Sequence, residues 1–528
     1  MRRRLLTTAA ALSAAAVSVA ACSSSGSSST SSSGSPASSS ASGSASGQVV
    51  SGKSATFLLP SDPGSLDPQQ TALSVTYQAD LFLYDSLMST SSSGAPQANL
   101  ATKWSGTTTT ASYTLKKGVT CSDGSALTAS TVAANINYIG NVKNASARAG
   151  VWVPPGATAT GNDATGVVTV TSKVSDPFLV TDVGSTEIVC GNGMKNRGML
   201  KNGADGTGPY TLTSAVPGSS YTLTLRKDYT WGPAGVTSST AGLPATVTFK
   251  VTSNMTTGAN ELLAGQANIG EIIGSDASRL GSLYSKVIYA PLGELWFNEK
   301  AGSATASLAV RKALTQALQL NQLGQVLTAG TGKPATALVE QSQTPCKGNT
   351  IGASLPAYDA AAAKSALSGQ KLSLAVYYPT SLGTGATGAA TLLQQTWSQL
   401  GVNVSLHAIT DAQVSSDIVG GTAAWNVIIL PLGLTSPQQL VPFVSGPTPP
   451  KGTDFAYINN PAYTADVTKA SGIAGTAGCP DWNAAESALF KNVDLVPFVN
   501  SAITWYAKGA TFEFTGDMIS PTSIRMLG

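Results

Sequence analysis

Residues 372–406 read LSLAVYYPTSLGTGATGAATLLQQTWSQLGVNVSL, and this stretch decides the fold class. Its first seven residues are rich in β-branched and aromatic side chains, which predicts a strand that ends at Tyr378. A glycine-rich loop then leads into a helix, and one face of that helix carries Leu392, Leu393, Thr396, Trp397 and Leu400. Gly401 ends the helix, and an alternating strand over 402–406 follows at once. A strand, a helix and a second strand in this order predict an α/β lobe.

The same alternation of short strands and amphipathic helices runs through the rest of the chain. Strands are predicted over 55–59, 167–170, 221–225, 245–251 and 425–430. Apolar residues at i, i+3, i+4, i+7 and i+8 from Val310 predict a helix. Asp359 is a predicted N-cap for the alanine-rich segment that ends at Leu367. Residues 90–205 are rich in Thr, Gly and short strands, which indicates a separate α+β domain.

The N-terminal segment predicts how the protein is targeted. An arginine triplet precedes an apolar run over 5–19 that is too short to span a bilayer, so residues 1–21 are a predicted signal peptide. The run ends in Val19-Ala20-Ala21-Cys22, which resembles a bacterial lipobox. Cys22 is therefore predicted to carry acyl chains and to anchor the protein at the extracellular face of the cell membrane. Residues 22–48 are dominated by Ser and Gly and form a predicted tether. The alternative is an ordinary signal peptide that is cleaved nearby and leaves a free thiol at Cys22.

Few residues carry charge, and this limits the possible partners. Asp, Glu, Lys and Arg make up 11% of the chain, and without the arginine triplet 27 basic residues face 27 acidic ones. No basic run occurs, which argues against nucleic acid as a partner, and no second apolar stretch is long enough to span a membrane. The residues beyond the tether are numerous enough for two or three domains with their own cores.

Five cysteines are present, and four remain if Cys22 is acylated. An even number in an oxidising compartment predicts two disulfides, and three pairings are possible. We favour Cys121–Cys190 with Cys346–Cys479, because each bridge then stays within one half of the chain. A metal site is not predicted, since there is no C-x-x-C motif and His407 is the only histidine.

Three motifs that suggest chemistry have simpler explanations. Residues 383–388 match G-x-G-x-x-G, with Asp411 beyond, but an exported protein has no ready supply of dinucleotides. Gly332-Lys333-Pro334 fails as a P-loop because Pro334 replaces the required Ser or Thr. G-x-S-x-G is absent, and a catalytic triad would have to use His407, which is predicted to be structural or exposed. We therefore predict no cofactor and no enzyme activity; a lipid-anchored secreted hydrolase is the alternative, and a surface adhesion or signalling module is a third hypothesis.

The motifs that remain occur in the order seen in one protein family. They are Ser65-Leu66-Asp67-Pro68 and the segments 83–87, 99–104, 113–125, 206–210, 261–266, 296–298, 310–314, 358–364 and 397–402. In this order, over nearly all of the chain after the tether, they resemble the family 5 solute-binding proteins of ABC importers, the peptide- and nickel-binding group.

The resemblance implies a bilobed α/β fold of the periplasmic-binding-protein type with an inserted α+β domain. Lobe one would comprise 49–85, 208–295 and 497–528, the inserted domain 86–207, and lobe two 296–496; these names are kept below. Two strand crossovers near Leu295 and Pro497 would form the hinge. The resemblance also implies a monomeric receptor that captures an extracellular solute between its lobes and delivers it to the permease of an ABC importer.

The family pattern also implies a set of ligand contacts and a class of ligand. The contacts are Thr76 and Tyr77 from lobe one, Trp296 and Asn298 at the crossover, and Trp425, Thr435 and Ser436 from lobe two. Peptide-binding relatives pair the ligand's amino group with an acidic side chain after a strand like 425–430, whereas residues 431–439 here contain no carboxylate. We therefore expect a neutral or weakly charged organic solute, such as a peptide, held by aromatic stacking and backbone hydrogen bonds. Nickel is not expected, because His407 is the only imidazole.

Overall fold

The strands follow the β-branched and aromatic runs of the sequence, and each predicted strand is present with its ends shifted by a few residues. The computed structural model describes residues 47–71, 73–91 and 94–528; the signal peptide, Cys22 and most of the tether lie outside the described residues. The strands are β1 Ser54–Leu59, β2 Met88–Thr90, β3 Pro96–Ala98, β4 Ala101–Gly106, β5 Thr110–Leu115, β6 Thr158–Asn162, β7 Val167–Thr171, β8 Tyr210–Val216, β9 Ser220–Leu225, β10 Thr246–Val251, β11 Ile269–Glu271, β12 Tyr284–Phe297, β13 Lys333–Pro334, β14 Ser373–Pro379, β15 Asn403–Ile409, β16 Val427–Ile429, β17 Leu495–Ala507, β18 Ala510–Thr511, β19 Phe514–Thr515, β20 Met518–Ile519 and β21 Arg525–Met526.

The helices are mostly short and amphipathic. They are α1 Ser74–Leu83, α2 Ala129–Gly140, α3 Leu179–Gly184, α4 Gly191–Lys195, α5 Met255–Ala264, α6 Leu308–Gln316, α7 Leu320–Thr328, α8 Ala360–Leu367, α9 Gly383–Ser398, α10 Asp411–Gln413, α11 Val441–Val444, α12 Pro461–Ala470 and α13 Cys479–Lys491. Asp359 caps α8 as predicted, since its carboxylate accepts a hydrogen bond from the Ala362 N–H at 2.9 Å. No helix in the described part of the chain is both long and apolar enough to cross a bilayer.

One mixed sheet runs through both lobes in the order β15-β14-β16-β12-β17-β11-β1-β10-β9-β8, and β13 adds to β17. The lobe-two part has parallel strands β15, β14 and β16, and the lobe-one part pairs β1 parallel with β10 and β11. The long strands β12 and β17 belong to both parts. The described residues all lie in one compact unit, and the domain boundaries given above stay a prediction.

The quoted stretch forms the predicted unit, with β14 and β15 parallel and α9 between them. The prediction of a glycine-rich loop is wrong, because α9 already begins at Gly383. The small residues allow α9 to pack against α7: a Cβ at Gly385 would lie 2.0 Å from the Leu327 carbonyl oxygen. Trp397 is fully buried on the same helix, and its indole N–H donates to the Leu314 carbonyl at 2.9 Å. Gly385 and Gly388 therefore serve close packing of α9 against α7.

The inserted domain carries its own antiparallel sheet, β4-β5-β7-β6, with α2 packed on it. Both predicted disulfides are present. Cys121–Cys190 lies in the inserted domain and Cys346–Cys479 in lobe two. His407 stacks on Tyr377, with ring centroids 4.6 Å apart.

The lobe-two sheet has a hydrophobic core on each face. Alternating residues of β12 separate the two cores: Leu295 and Phe297 pack with Trp397 on one face, and Trp296 packs with Ile428 and Trp425 on the other. The second core extends toward α13 and takes in Phe178 from the inserted domain. The inserted domain and lobe two therefore meet in one apolar cluster.

Candidate functional site

Two long strands join the lobe-one part of the sheet to the lobe-two part. β12 and β17 pair antiparallel along nearly their whole length, and their register shifts on both sides of Gly293. A Cβ at Gly293 would lie 2.5 Å from the Phe498 ring, so a side chain does not fit between the strands there. A register shift of this kind bends a strand pair locally. The positions predicted for the hinge, Leu295 and Pro497, lie beside this bend.

The inserted domain touches lobe two at a second place. The Gly475 N–H donates to the Pro177 carbonyl at 2.7 Å. Next to this bond, the buried Phe178 ring lies against Trp482, with ring centroids 6.5 Å apart. Lobe two is therefore contacted at two places, by lobe one through the hinge strands and by the inserted domain here.

A third contact lies near the start of the inserted domain. A Cβ at Gly94 would lie 3.3 Å from the Lys347 ammonium nitrogen and 3.5 Å from the Ser342 carbonyl oxygen. The Cys346–Cys479 disulfide joins this segment of lobe two to the segment that meets Phe178. Both contacts of the inserted domain are therefore made with covalently connected parts of lobe two.

Three side chains stack where lobe one meets the inserted domain, and we call them the aromatic shelf: Tyr77, Arg148 and Trp152. The rings of Tyr77 and Trp152 lie 5.7 Å apart between centroids. The Arg148 guanidinium carbon lies 3.9 Å from the Trp152 centroid and 5.4 Å from the Tyr77 centroid. Both rings are half-buried and so partly accessible. Burial and the nearby Glu187 raise the pKa of Tyr77, so its hydroxyl stays neutral. A shelf of this kind can stack on flat groups and attract negative charge.

Two carboxyl groups are buried behind the aromatic shelf. Asp80 on α1 is fully buried and Glu187 is 1% exposed, and no carboxyl oxygen of either has a hydrogen-bond partner among the described residues. Burial raises the pKa of Asp80 well above its usual value, and Glu187 adds to the effect. Burial likewise raises the pKa of Glu187 to about 8, although Arg148 lowers it. At neutral pH both groups therefore favour the protonated form.

Four of the residues predicted to contact ligand have partners within the protein. Thr76 is fully buried, and its hydroxyl donates to the Pro63 carbonyl at 2.5 Å. The indole of Trp296 is fully buried, and that of Trp425 is nearly so; both lie against the Phe455 ring. The Asn298 side-chain amide donates to the Trp425 carbonyl at 2.9 Å. As ligand contacts these four stay predictions, and their surroundings are those of core residues.

The other predicted contacts are at least partly exposed or have a polar atom without a hydrogen-bond partner. Tyr77 is in the aromatic shelf. Thr435 is exposed, and its N–H donates to the Gln439 side-chain carbonyl at 2.8 Å. Ser436 is 2% exposed, and its hydroxyl has no partner among the described residues. In the same region, one carboxyl oxygen of Glu294 accepts from the Leu432 N–H at 3.2 Å and the other has no such partner. The edge of lobe two near residues 431–439 thus has unused polar groups.

Sequence reasoning missed Arg148, Trp152, Asp80, Glu187 and Glu294. One signal was available for Asp80, which stands in the otherwise apolar run Ala79-Asp80-Leu81-Phe82-Leu83. A carboxylate on the buried face of a helix is unusual unless it has a task. The aromatic shelf had no such signal, because its members come from α1 and from a loop after α2.

Among the described residues, no group of three or more His, Cys, Asp and Glu side chains is placed to hold a metal ion.

The model of the bacterial extracellular solute-binding proteins, family 5 (middle region), matches residues 95–481. The chain belongs to this family. Proteins of the family act outside the cytoplasm as binding proteins and not as enzymes, so the hydrolase alternative falls away.

Solved structures of solute-binding proteins share the fold. A substrate binding protein from Microbacterium hydrocarbonoxydans, complexed with 4-hydroxybenzoate hydrazide, is 24% identical with a TM-score of 0.69, over 90% of this chain and 100% of that one. The ABC transporter substrate binding protein CtaP from Listeria monocytogenes is 20% identical with a TM-score of 0.76, over 90% and 99%. A dipeptide binding protein from Pseudoalteromonas sp. SM9913, in complex with Met-Leu, is 17% identical with a TM-score of 0.68, over 90% and 100%. No curated protein sequence matches. The family 5 fold is thus the predicted bilobed α/β fold.

Proposed function

We propose that this family 5 protein is a lipid-anchored receptor that closes on a small organic solute and delivers it to an ABC importer permease. The observation that carries the proposal is the family 5 fold, in which two long strands join lobe one to lobe two and the inserted domain contacts lobe two. Closure of two lobes around a solute removes water from it and strengthens polar contacts. The closed shape is what a permease would recognise.

The solute we propose is a peptide or another small organic molecule with a flat group. The aromatic shelf supports this, because Tyr77 and Trp152 are half-buried aromatic rings at the junction of two domains. Related folds are named as binding Met-Leu and 4-hydroxybenzoate hydrazide, which both present planar amide-type groups. Thr435 and Ser436 on lobe two are the predicted polar contacts from the opposite side.

Calorimetry and small-angle scattering test the proposal together. A panel of dipeptides, tripeptides, aromatic acids, sugars and nickel complexes is titrated into the protein, and each solute that binds is tested for compaction. We expect a peptide or aromatic solute to bind and to decrease the radius of gyration. Compaction with sugars or nickel complexes alone would contradict the proposed solute class, and no compaction with any solute would contradict the receptor function.

A variant of the aromatic shelf connects binding to the site. Trp152→Ala removes a stacking ring, so we expect the affinity for the bound solute to fall about two- to tenfold, in keeping with about 0.5–1.5 kcal/mol per aromatic contact. Trp104→Ala, which removes a half-buried tryptophan on β4 of the inserted domain, is the matched control. Equal affinities for the two variants would place the ligand elsewhere.

The anchor has its own test, because Cys22 lies outside the described residues. Cys22→Ser should release the protein into the medium or leave it unprocessed, whereas Ser23→Ala should not. A Cys22→Ser protein that is normally processed and stays on the membrane would rule the anchor out.

A further inference from the structure

Arg148 of the aromatic shelf and the two carboxyl groups behind it lie together with unmade hydrogen bonds. Asp80 is fully buried, Glu187 is 1% exposed and Arg148 is 7% exposed. Both oxygens of each carboxyl group and the Arg148 Nη2 have no hydrogen-bond partner among the described residues. The Arg148 Nε does donate to the Pro68 carbonyl at 3.1 Å. Buried polar groups in proteins are nearly always hydrogen-bonded, so an incomplete cluster indicates a place for another molecule.

The surrounding charges do not complete the cluster. Asp67, the next carboxylate, forms an ion pair with Arg197. Asp517 is half-buried and raises the pKa of Tyr77 through its charge, and burial raises the pKa of Asp517 itself. The hydroxyls of Tyr77 and Tyr84 both stay neutral, because burial raises the pKa of each. Arg148 is therefore the cation that faces Asp80 and Glu187 among the described residues, and no ion pair within 4.0 Å joins it to either.

The charge of the cluster follows from burial. Burial raises the pKa of both carboxyl groups, so at neutral pH they hold their protons and Arg148 keeps an unneutralised positive charge. The guanidinium packs against the Trp152 ring and lies near the Tyr77 ring, and its Nη2 has no acceptor among the described residues. A planar guanidinium edge matches a carboxylate, which can accept two parallel hydrogen bonds.

We propose that Arg148 binds a carboxylate group of the solute beside the Asp80–Glu187 pair. The inference rests on the proposed function and names the class of solute, an organic acid or a peptide with a free C-terminus. The negative charge of the ligand disfavours an ionised carboxylate beside it, so at a pH where Glu187 is partly ionised, binding is accompanied by proton uptake from the solvent. Above the pH at which Glu187 ionises, its charge offsets Arg148 and the ligand binds more weakly.

Calorimetry with two small probes tests the proposal on the full chain. Benzoate and benzamide have the same ring and size, but benzoate carries the carboxylate. We expect benzoate to bind at least tenfold more tightly than benzamide at pH 7. The affinity for benzoate should fall several-fold from pH 7 to pH 9, whereas the affinity for benzamide should not change.

Variants assign the effect to the cluster. Arg148→Gln should remove the preference for benzoate, and Arg279→Gln, which changes an exposed arginine on lobe one, should keep it. The double variant Asp80→Asn with Glu187→Gln should bind benzoate equally well at pH 7 and pH 9. A measurement on the unmodified protein covers the case of a variant that does not fold. At pH 8, the binding heat of benzoate in buffers of different ionisation enthalpy should report proton uptake.

Equal binding of the two probes, proton release, or no binding of either probe would overturn the carboxylate site. Each of these results leaves the scattering test of the receptor function unaffected, so failure of the inference and failure of the proposed function can be distinguished.

Discussion

Two regions of this protein each hold one buried arginine and two carboxyl groups, and they differ in how many hydrogen bonds are made. In lobe two, Arg311 is 1% exposed and forms ion pairs with Glu299 at 3.0 Å and with Asp494 at 3.4 Å. Its guanidinium also donates to four backbone carbonyls, those of Thr305, Ala306, Asn492 and Val493. Behind the aromatic shelf, Arg148 makes no ion pair, and Asp80 and Glu187 have no hydrogen-bond partner among the described residues.

The difference indicates how a charged side chain that stabilises the fold can be distinguished from one that binds a ligand. Both regions combine one arginine, one aspartate and one glutamate, so residue type does not distinguish them. Around Arg311 one carboxyl oxygen of Glu299 lacks a partner, and the other polar side-chain atoms of the three residues are paired, which stabilises the fold. Buried polar groups without hydrogen-bond partners destabilise the folded protein, and a ligand that supplies the missing hydrogen bonds can offset this cost.

The largest expected effect is on the Arg311 region. Arg311→Met removes the cation beside the buried Asp494 and leaves four backbone carbonyls without their donor, so we expect the free energy of unfolding to fall by about 3–5 kcal/mol. Denaturant unfolding at pH 7 measures this. Lys312→Met, which changes an exposed lysine on the same helix, should shift it by no more than about 0.5 kcal/mol. A loss below about 1 kcal/mol for Arg311→Met would mean that the two regions do not differ as described.

The next effect is a pH dependence with a defined sign. The pKa of Glu187 is raised to about 8 in the folded protein, so the folded state binds more protons than the unfolded state between about pH 5 and pH 8. Stability is therefore greatest at low pH in this window and falls as pH rises, by up to about 1.4 kcal/mol per pH unit for one proton. Burial and Asp494 raise the pKa of Glu299 to about 9, which adds an effect of the same sign.

The Glu187→Gln variant isolates its share of that slope. Unfolding followed at pH 6, 7 and 8 should show a shallower loss of stability than in the unmodified protein. Glu513→Gln, on an exposed glutamate paired with Lys286, should leave the slope unchanged. An identical slope for both variants would mean that Glu187 is ionised in the folded state at neutral pH.

A smaller effect is expected for the Arg148 region. Arg148→Met loses the stacking on Trp152 and Tyr77, but the carboxyl groups behind it can stay protonated. We expect a loss of about 0.5–2 kcal/mol, the range of a partly desolvated cation–π contact. Comparison with Arg311→Met under the same conditions gives the contrast directly, and a loss as large as that of Arg311→Met would contradict it.

The smallest effect on stability is expected at Thr435. Its side chain is exposed and bonds only locally to Gln439, so Thr435→Ala should change stability by no more than about 0.5 kcal/mol. If Thr435 contacts the solute, the affinity falls several-fold at unchanged stability. Unchanged affinity would remove Thr435 from the predicted contacts.

Much of the fold was predictable because it depends on local patterns. The β14–α9–β15 unit, the Asp359 cap and the strands followed from side-chain periodicity and capping chemistry. The disulfide pairing followed from a preference for bridges within one half of the chain. The start of α9 was not predictable in this way, because Gly383–Gly388 read as a loop until their packing against α7 is known.

The site was harder to predict, because it is made by elements distant in the sequence. Trp296 and Trp425 were candidates on the basis of residue type and family position, yet their rings lie in a core that the sequence does not reveal. Arg148, Trp152 and Tyr77 meet only through the packing of α1 against the inserted domain. Hydrogen bonds that are left unmade are a property of the folded molecule, and no periodicity reports them.

The disulfide between Cys346 and Cys479 bears on the proposed movement of lobe two away from the inserted domain. It ties together the two segments of lobe two that meet the inserted domain, one near Gly94 and one at Phe178. Two contacts with one covalently connected unit act as a bivalent interaction. When one contact breaks, the intact contact keeps the separated surfaces at a high effective concentration. Opening should therefore be cooperative, with both attachments breaking together. A receptor built in this way would populate two states, open and shut, with few molecules between them.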